Sequence, residues 1–362
     1  MRSFKEHLVK RIHGGNRMAY EARVKPAFEK AHQRPPKSRQ EVRDVMTKDP
    51  RYRMFSSLLR TSQEMMWSST QKPVERQLDT LVDKARQSKG AGGSLTLDPT
   101  LEIPKYHTAV DIHCQPGGYH TEFVPDDVSA GAVYDRAVFI YAMGQMGPEN
   151  ADMGESLIAW LKANRPGFKP SRILDLGCAV GHSTVPYARV WPEAEVHAID
   201  VAGPMLRYAH ARAESLGVPV RFSQQNAEKT NFADGSFDLI VSHILLHETS
   251  ECAIHNIVRE CHRLLRQGGF MVHAETPPYK GMDPFDAFML DWDTRNNNEP
   301  FWCRSHEIDL DELSAWGGFD TAKKFEVMAP SAHQAAEAHR SHVFQGGDFG
   351  GGGVWFLYGC EK

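Results

Sequence analysis

RILDLGCAVGHST, residues 172–184, decides the fold. An apolar run reaches Asp175, glycines follow at Gly177 and Gly181, and a polar helix start comes after them. Glycine permits a tight turn there and lets the backbone approach a ligand with no Cβ in the way. In open α/β sheets, ligands bind beyond the carboxyl ends of the strands, where a strand turns into its helix. The stretch therefore predicts a strand, a ligand-binding turn and a helix.

Strands and helices alternate from this turn onward. The predicted strands after it are AEVHAID, PVRFSQQ, FDLIVSH, GFMVHAE, TAKKFEVMAPS and GVWFLYGCEK. The predicted helices between them include AGPMLRYAHARAESLG and AIHNIVRECHRLL. Such alternation predicts an α/β fold with a doubly wound, mostly parallel, seven-stranded sheet. The tract QGGDFGGGG is predicted to be a loop before the last strand.

The type of ligand follows from the residues around the turn. A dinucleotide-binding turn needs glycine where Ala179 and His182 stand, and a P-loop needs a Gly-Lys-Ser/Thr ending that is absent here. This disfavours a nicotinamide-dependent oxidoreductase. Asp175 is better explained by a cationic ligand group, and Asp200, at the end of the next strand, can accept both hydroxyls of a ribose.

These residues resemble class I S-adenosylmethionine-dependent methyltransferases. ILDLGCAVGHST is similar to the first motif of that family and VHAIDVAGPML to its second. NAEKTNFADGSFDLIVSHILLHE and IVRECHRLLRQGGFMVHAE resemble the segments that follow in the family, so the resemblance covers roughly residues 170–280. Ala179 stands where the family commonly has a third glycine. The resemblance implies a Rossmann-like fold, S-adenosyl-L-methionine as cofactor, and in-line methyl transfer to a small-molecule acceptor.

The resemblance also implies which residues hold the cofactor. Asp175 and the backbone near Gly177, Cys178 and Gly181 would hold the methionine end. The residues implied around the ribose and adenine are Asp200 for the ribose, Val201 and Met205 for packing, and Asn226 and Ala227 for the adenine edge. His243 would pack near the cofactor.

The catalytic candidates follow the fourth and fifth strands of that core. His243 and His247 are four residues apart and are predicted to face one way on a helical turn. Either could be a general base, both could be metal ligands, or both could be packing residues, in which case the acceptor site would lie around Glu275, Asn297 and Glu299. We expect His247 to be the base with Glu248 orienting its ring, and Glu275 is a third catalytic candidate. A divalent metal stays open but is not predicted.

The acceptor is expected to lie between inserted segments above the strand ends. The predicted organisation is a helical region with a linker over 1–100, a lid over 101–168, and a core over 169–362 with lid insertions near 277–305 and 331–352. The candidate acceptor-binding residues are Tyr119, Tyr134, Asn297, Glu299 and Trp302, with His113, His120 and Tyr141 also in the lid. DIHCQPGGYH and SHILLHE show a weak similarity to metal-dependent methyltransferase domains of polyketide loading modules. The metal ligands of those domains cannot be assigned residue by residue to this sequence.

Composition narrows the class of protein. The formal net charge of -4 over 362 residues gives no positive field for nucleic acid or anionic lipid. The six cysteines form no CxxC pair, and no apolar run reaches the ~20 residues that span a bilayer. We therefore expect a cytoplasmic enzyme with no nucleic-acid or membrane partner, in which the N-terminal helices pack on the lid or form a homodimer. The alternative is a non-catalytic protein that binds the cofactor and recruits a partner.

Overall fold

The computed structural model describes residues 1–335 and 353–362, and its centre is one eight-stranded sheet. The strands are β1 Ser94–Thr96, β2 Arg172–Leu176, β3 Glu195–Asp200, β4 Arg221–Gln224, β5 Phe237–His243, β6 Leu265–Glu275, β7 Lys324–Pro330 and β8 Val354–Glu361. Their order across the sheet is β1-β4-β3-β2-β5-β6-β8-β7. Strands β1 to β6 pair in parallel, whereas β8 is antiparallel to both β6 and β7. The predicted mostly parallel α/β sheet is confirmed.

The sheet has one strand more than predicted, because the linker prediction over residues 88–100 is wrong in part. Ser94–Thr96 pairs in parallel with residues 221–223 and forms the edge of the sheet. Leu95 and Leu97 pack against the main core, so the segment alternates apolar and polar side chains as an edge strand does.

Helices cover the sheet and build the region before it. They are α1 Arg2–His7, α2 Gly14–Ala19, α3 Lys25–His32, α4 Arg39–Met46, α5 Pro50–Glu75, α6 Leu78–Gln87, α7 Lys105–Thr108, α8 Ser129–Tyr141, α9 Asp152–Asn164, α10 Thr184–Val190, α11 Gly203–Ser215, α12 Glu251–Leu264, α13 Pro284–Leu290, α14 Trp292–Asn296, α15 Trp302–Ser305, α16 Leu310–Gly317 and α17 Ala332–Ala335. Single π-helical turns, Leu8–Ile12 and Tyr20–Val24, link α1 to α3, and short 3-10 turns lie at Ile112–Cys114, Leu246–Glu248 and Thr321–Lys323. No described helix is long and apolar enough to cross a membrane.

The N-terminal helices pack on the insertion that follows β6. Tyr52 and Phe55 of α5 share a buried cluster with Phe288 of α13 and Trp292 of α14. Arg43 also pairs with Asp291 between α13 and α14, and both side chains are buried. The insertion predicted near 277–305 thus lies against the N-terminal region, while association into a homodimer stays a prediction. The glycine-rich tract lies outside the described residues, as does most of the insertion predicted at 331–352.

Helix starts near the carboxyl end of the sheet follow ordinary capping chemistry. The Ser250 hydroxyl accepts the Ala253 N–H at the start of α12, and the Asp283 carboxylate accepts the Phe285 N–H at the start of α13. Side chains of this kind satisfy amide groups that the first helical turn leaves without a partner. They fix where α12 and α13 begin, and the candidates His247 and Glu248 lie just before α12.

Candidate cofactor and acceptor site

The turn after β2 has the backbone geometry that its glycines predict. Gly177 and Gly181 have φ of 64° and 75°, in the left-handed region that favours glycine. A Cβ at Gly177 would lie 2.6 Å from Leu245 Cδ1, so the Leu245 side chain would have to move. Ala179 has φ of 46°, which explains why glycine would suit that position too. Its N–H nevertheless donates to Asp200 Oδ2 at 2.9 Å.

Asp175 places a negative charge beneath this turn. Its side chain is buried, and Oδ2 accepts a hydrogen bond of 2.5 Å from the Thr184 hydroxyl. The other oxygen, Oδ1, accepts no hydrogen bond and lies 3.4 Å from His243 Nδ1. A buried carboxylate oxygen that accepts no hydrogen bond can accept one from a cationic group of a bound ligand.

Asp200 closes β3 with both carboxylate oxygens already bonded to backbone amides. The Ala179 N–H donates to one oxygen and the Ala202 N–H to the other, each at 2.9 Å. Burial raises the pKa of Asp200 to about 6, although these hydrogen bonds act in the opposite direction. Each oxygen keeps a further lone pair for a hydroxyl.

One open cavity, with about 820 Å³ of space between the atoms that includes open solvent, joins this turn to the segments above it. The wall predicted to hold the cofactor, here called the cofactor wall, includes Asp175, Gly177, Cys178, Ala179, His182, Ser183 and His243. The opposite wall, predicted to hold the acceptor and here called the acceptor wall, includes Gln63, Trp67, His113, Tyr119, Tyr134 and Tyr141. The acceptor wall therefore comes from α5, from the 3-10 turn at Ile112–Cys114 and from the lid.

His113 connects the acceptor wall to carboxylates behind it. Its Nε2 lies 3.1 Å from Glu248 Oε1, and its Nδ1 lies 3.0 Å from Glu299 Oε1. Asn297 Nδ2 is 2.9 Å from each of Asp293 Oδ1, Glu299 Oε1 and His113 Nδ1. An amide nitrogen carries two protons and carboxylates only accept, so the amide donates to Asp293 and Glu299. The His113 Nδ1–H is then the donor to Glu299.

His247 forms a second imidazole–carboxylate pair beside the first. Its Nδ1 lies 2.8 Å from Glu275 Oε2, and Glu275 Oε1 accepts the Leu246 N–H at 2.7 Å. Its Nε2 has no hydrogen-bond partner and lies 3.6 Å from Glu299 Oε2. We call His113, His247, Glu248, Glu275 and Glu299 the histidine–glutamate cluster.

Charge in this cluster shifts the pKa values of its members. Burial lowers the pKa of His113, but the carboxylates of Glu299 and Glu248 outweigh it and raise that pKa to about 10. Burial also lowers the pKa of His247, but the carboxylates of Glu275 and Glu299 outweigh it and leave that pKa raised. Burial raises the pKa of Glu248, but the hydrogen bond and charge of His113 leave that pKa lowered. Tyr119, whose hydroxyl is 3.4 Å from Glu248 Oε1, has a pKa raised by burial and then by that carboxylate.

The predicted residues divide into three groups in the structure. Those that line the cavity are Asp175, Gly177, Cys178, His243, Tyr119 and Tyr134. Those that lie in or against the histidine–glutamate cluster are His247, Glu275, Asn297, Glu299 and Trp302. The remaining ones, Gly181, Asp200, Val201, Met205, Asn226 and Ala227, do not line this cavity. Asn226 Oδ1 accepts the Glu228 N–H at 2.8 Å within its own turn.

Two expectations about the histidines are wrong. His243 and His247 do not face one way, because β5 ends at His243 and Ile244 then takes φ of 51°. His243 Nε2 contacts the Tyr187 hydroxyl at 2.9 Å, whereas His247 Nδ1 contacts Glu275 Oε2 at 2.8 Å. The group that orients His247 is Glu275 rather than Glu248, which pairs with His113 instead. Trp302 is fully buried with its ring 4.7 Å from the His247 ring, so it supports that histidine rather than lining the cavity.

Sequence reasoning missed the role of α5. His113 and Cys114 both have positive φ, 53° and 61°, a strained conformation for residues other than glycine. The His113 carbonyl accepts hydrogen bonds from Trp67 Nε1 at 2.7 Å and Gln63 Nε2 at 3.1 Å. Polar Gln63 and amphipathic Trp67, four residues apart within one helix, were the available signal, since buried side chains of these types need partners.

Comparison with known proteins agrees with this geometry over the core of the chain. Residues 173–269 match a methyltransferase domain family. Demethylmenaquinone methyltransferase of Thermus thermophilus is 36% identical over 109 residues, which is 30% of this chain and 49% of that protein. A malonyl-[acyl-carrier protein] O-methyltransferase of Methylococcus capsulatus is 35% identical over 121 residues, 33% of this chain and 41% of that protein. The chain thus spans less than half the length of either relative.

A solved structure gives a further comparison. Phosphoethanolamine N-methyltransferase 2 of Haemonchus contortus, in complex with S-adenosyl-L-methionine, aligns with a TM-score of 0.43 at 15% identity. The alignment covers 63% of this chain and 57% of that one.

Proposed function

We propose that this chain, which carries a class I S-adenosylmethionine-dependent methyltransferase domain, transfers a methyl group to a small-molecule acceptor. The observation that carries the proposal is the single cavity shared by the cofactor wall and the acceptor wall. A donor held on one wall faces an acceptor held on the other, and such alignment is a large part of catalysis by proximity.

The residues of the cofactor wall suit S-adenosyl-L-methionine. Asp175 Oδ1 accepts no hydrogen bond and can take the ammonium group of the methionine end. Gly177 lets the backbone approach, and Asp200 keeps lone pairs for two ribose hydroxyls. When bound, the cofactor supplies an electrophilic methyl group on a sulfonium, and in-line attack releases a neutral thioether.

The acceptor's proton is assigned to the histidine–glutamate cluster. His113 reaches the cavity directly, and His247 lies behind it with Nδ1 held by Glu275. Glu275 orients the ring of His247, as a base with an orienting partner requires, and the raised pKa makes this ring a stronger proton acceptor once it is neutral. His243 is less suited to this role, because Tyr187 and Asp175 flank its two ring nitrogens.

Binding and turnover have to be measured separately. Calorimetric titration with S-adenosylhomocysteine should show one site per chain, and incubation with methyl-labelled cofactor and a set of metabolites should label at least one acceptor. Tight cofactor binding without labelling in any acceptor set, with and without added divalent ions, would favour the non-catalytic alternative. Absence of cofactor binding would overturn the proposal.

The matched control is a carboxylate away from the cavity. Asp309 caps α16 by accepting the amides of Asp311 and Glu312. Asp309→Ala should lower stability by about 1 kcal/mol as a lost cap does, yet leave cofactor affinity unchanged. Asp175→Asn should weaken the cofactor complex while keeping a hydrogen-bond acceptor for Thr184.

A further inference from the structure

Three side chains of the histidine–glutamate cluster point donor atoms at one small volume. His113, His247 and Glu248 each offer one donor atom, and these atoms lie within 4.8 Å of one another. His113 comes from the segment before α8, whereas His247 and Glu248 come from the 3-10 turn after β5. Tertiary structure therefore brings them together, not sequence proximity alone.

The ring nitrogens that face this volume are the Nε2 atoms. Glu299 holds Nδ1 of His113 at 3.0 Å, and Glu275 holds Nδ1 of His247 at 2.8 Å. His113 Nε2 and Glu248 Oε1 are 3.1 Å apart, close to the ~3 Å that separates neighbouring ligands when each lies ~2.1 Å from one ion. A carboxylate behind each imidazole is the usual outer partner of a metal-binding histidine.

The histidine–glutamate cluster leaves two of its buried polar atoms without a hydrogen-bond partner. His247 Nε2 and Glu299 Oε2 are both fully buried and have no hydrogen-bond partner. Within residues 1–335 and 353–362, Glu248, Glu275 and Glu299 form ion pairs only with His113 and His247. Three carboxylates against two imidazoles leave excess negative charge in a buried place, where charges are paired or bind metal.

We propose that His113, His247 and Glu248 bind one divalent first-row transition metal ion, with Glu299 Oε2 next to it. Two imidazoles and one carboxylate on one side of an ion leave coordination positions open on the other, as in sites for Fe²⁺ and related ions. Calcium and magnesium are disfavoured, because they prefer all-oxygen ligand sets. The proposed ligand set thus differs from the pair His243 and His247, whose ring nitrogens contact Tyr187 and Glu275 instead of converging.

The open positions face the acceptor half of the cavity, because His113 lines that wall. An acceptor with oxygen or nitrogen lone pairs would bind there, and the ion would lower the pKa of a hydroxyl bound to it. His247 is then a ligand, and it no longer has to take the acceptor's proton itself. This catalytic role rests on the proposed function, whereas the existence of the metal site does not.

The test measures metal binding directly on the full chain. Protein stripped with a chelator and dialysed is titrated with Co²⁺ by absorption and with Zn²⁺ by calorimetry. We expect one ion per chain with visible Co²⁺ bands that show nitrogen and oxygen ligands. Glu275→Gln, which changes only the group behind His247, should weaken binding by about 10–100-fold. A folded wild-type chain that binds neither ion would overturn the proposal.

Controls separate loss of ligands from loss of folding. His247→Ala and Glu248→Gln should abolish the Co²⁺ bands, while His255→Ala should not, because His255 packs against the exposed Trp316. Circular dichroism without metal checks that each variant is folded; Glu248→Gln keeps the shape of the side chain and so remains informative if His247→Ala unfolds. Co²⁺ bands unchanged in both ligand variants would also overturn the proposal. S-adenosylhomocysteine titrations on the same samples test the proposed function independently.

Discussion

The two walls of the cavity are built in different ways. The cofactor wall comes largely from one short stretch after β2, and Asp200, which lies beside that turn but outside the cavity lining, is held by two backbone N–H groups. The acceptor wall and the cluster behind it draw on α5, the turn at His113, the ends of β5 and β6, and Glu299. In that wall and in the cluster, hydrogen bonds and ion pairs between side chains hold the residues in place.

This difference predicts where substitutions act. A wall made of backbone and one carboxylate sets affinity for the cofactor and depends on few side chains. A wall made of linked side chains sets the position of the acceptor, and each member depends on the others. Changes in the cofactor wall should therefore alter binding, and changes in the cluster should alter turnover.

The largest effect is expected at His247. His247→Ala removes either a base or a metal ligand, and it should lower turnover by ~10²–10⁴-fold. Affinity for S-adenosylhomocysteine should stay within a few fold, because His247 does not line the cofactor wall. Single-turnover rates with labelled cofactor check this against His255→Ala, and a variant that keeps the wild-type rate would show that the cluster is structural only.

The next largest effect is expected at Asp200. Asp200→Ala removes charge-assisted hydrogen bonds to the ribose and should weaken cofactor binding by about 1–3 kcal/mol. Calorimetry should show this loss while Co²⁺ binding stays as in the wild type. Equal cofactor affinity in variant and wild type would contradict the placement of the ribose at Asp200.

A smaller effect should follow from pH. Because burial raises the pKa of Asp200 to about 6, its carboxylate is ionised above that pH and takes up a proton below it. Cofactor affinity that needs the carboxylate should be full above about pH 7 and fall by at most tenfold per pH unit below about pH 6. Titrations from pH 5 to 8 would reveal this slope in the wild type, and Asp200→Asn should give a flat profile over the same range.

The smallest effect is expected at Trp67. Trp67→Phe removes the donor to the His113 carbonyl but leaves Gln63 in place, so the free energy of unfolding should fall by about 0.5–1.5 kcal/mol. Turnover should fall more than cofactor affinity, since the change reaches His113 and not Asp175. If cofactor affinity fell as much as turnover, the division between the two walls would be wrong.

Much of the fold and of the cofactor wall could be predicted, because local sequence controls them. The β2 turn favours glycine at Gly177 because φ is 64° there, and that preference shows in the sequence. The edge strand at Ser94–Thr96 was missed, because three residues beside glycines give little strand signal.

The cluster could be predicted only as a set of candidates. His247, Glu275 and Glu299 were all singled out, yet their pairing depends on where separate segments meet. The turn at Ile244, a branched residue with φ of 51°, separates His243 from His247 in a way that no periodicity shows. The support that α5 gives to His113 spans 46 residues of chain between Trp67 and His113, too far for pattern reasoning.

The strained turn at His113 has a consequence for how the protein is made. Two successive residues in the left-handed region cost about 1–3 kcal/mol each, so a free chain rarely adopts this turn. Trp67 holds the carbonyl of His113 and leaves the ribosome before it. Glu299 holds the ring of His113 and leaves the ribosome much later. A growing chain therefore completes the cluster only after Glu299 has emerged and these separate segments have folded together.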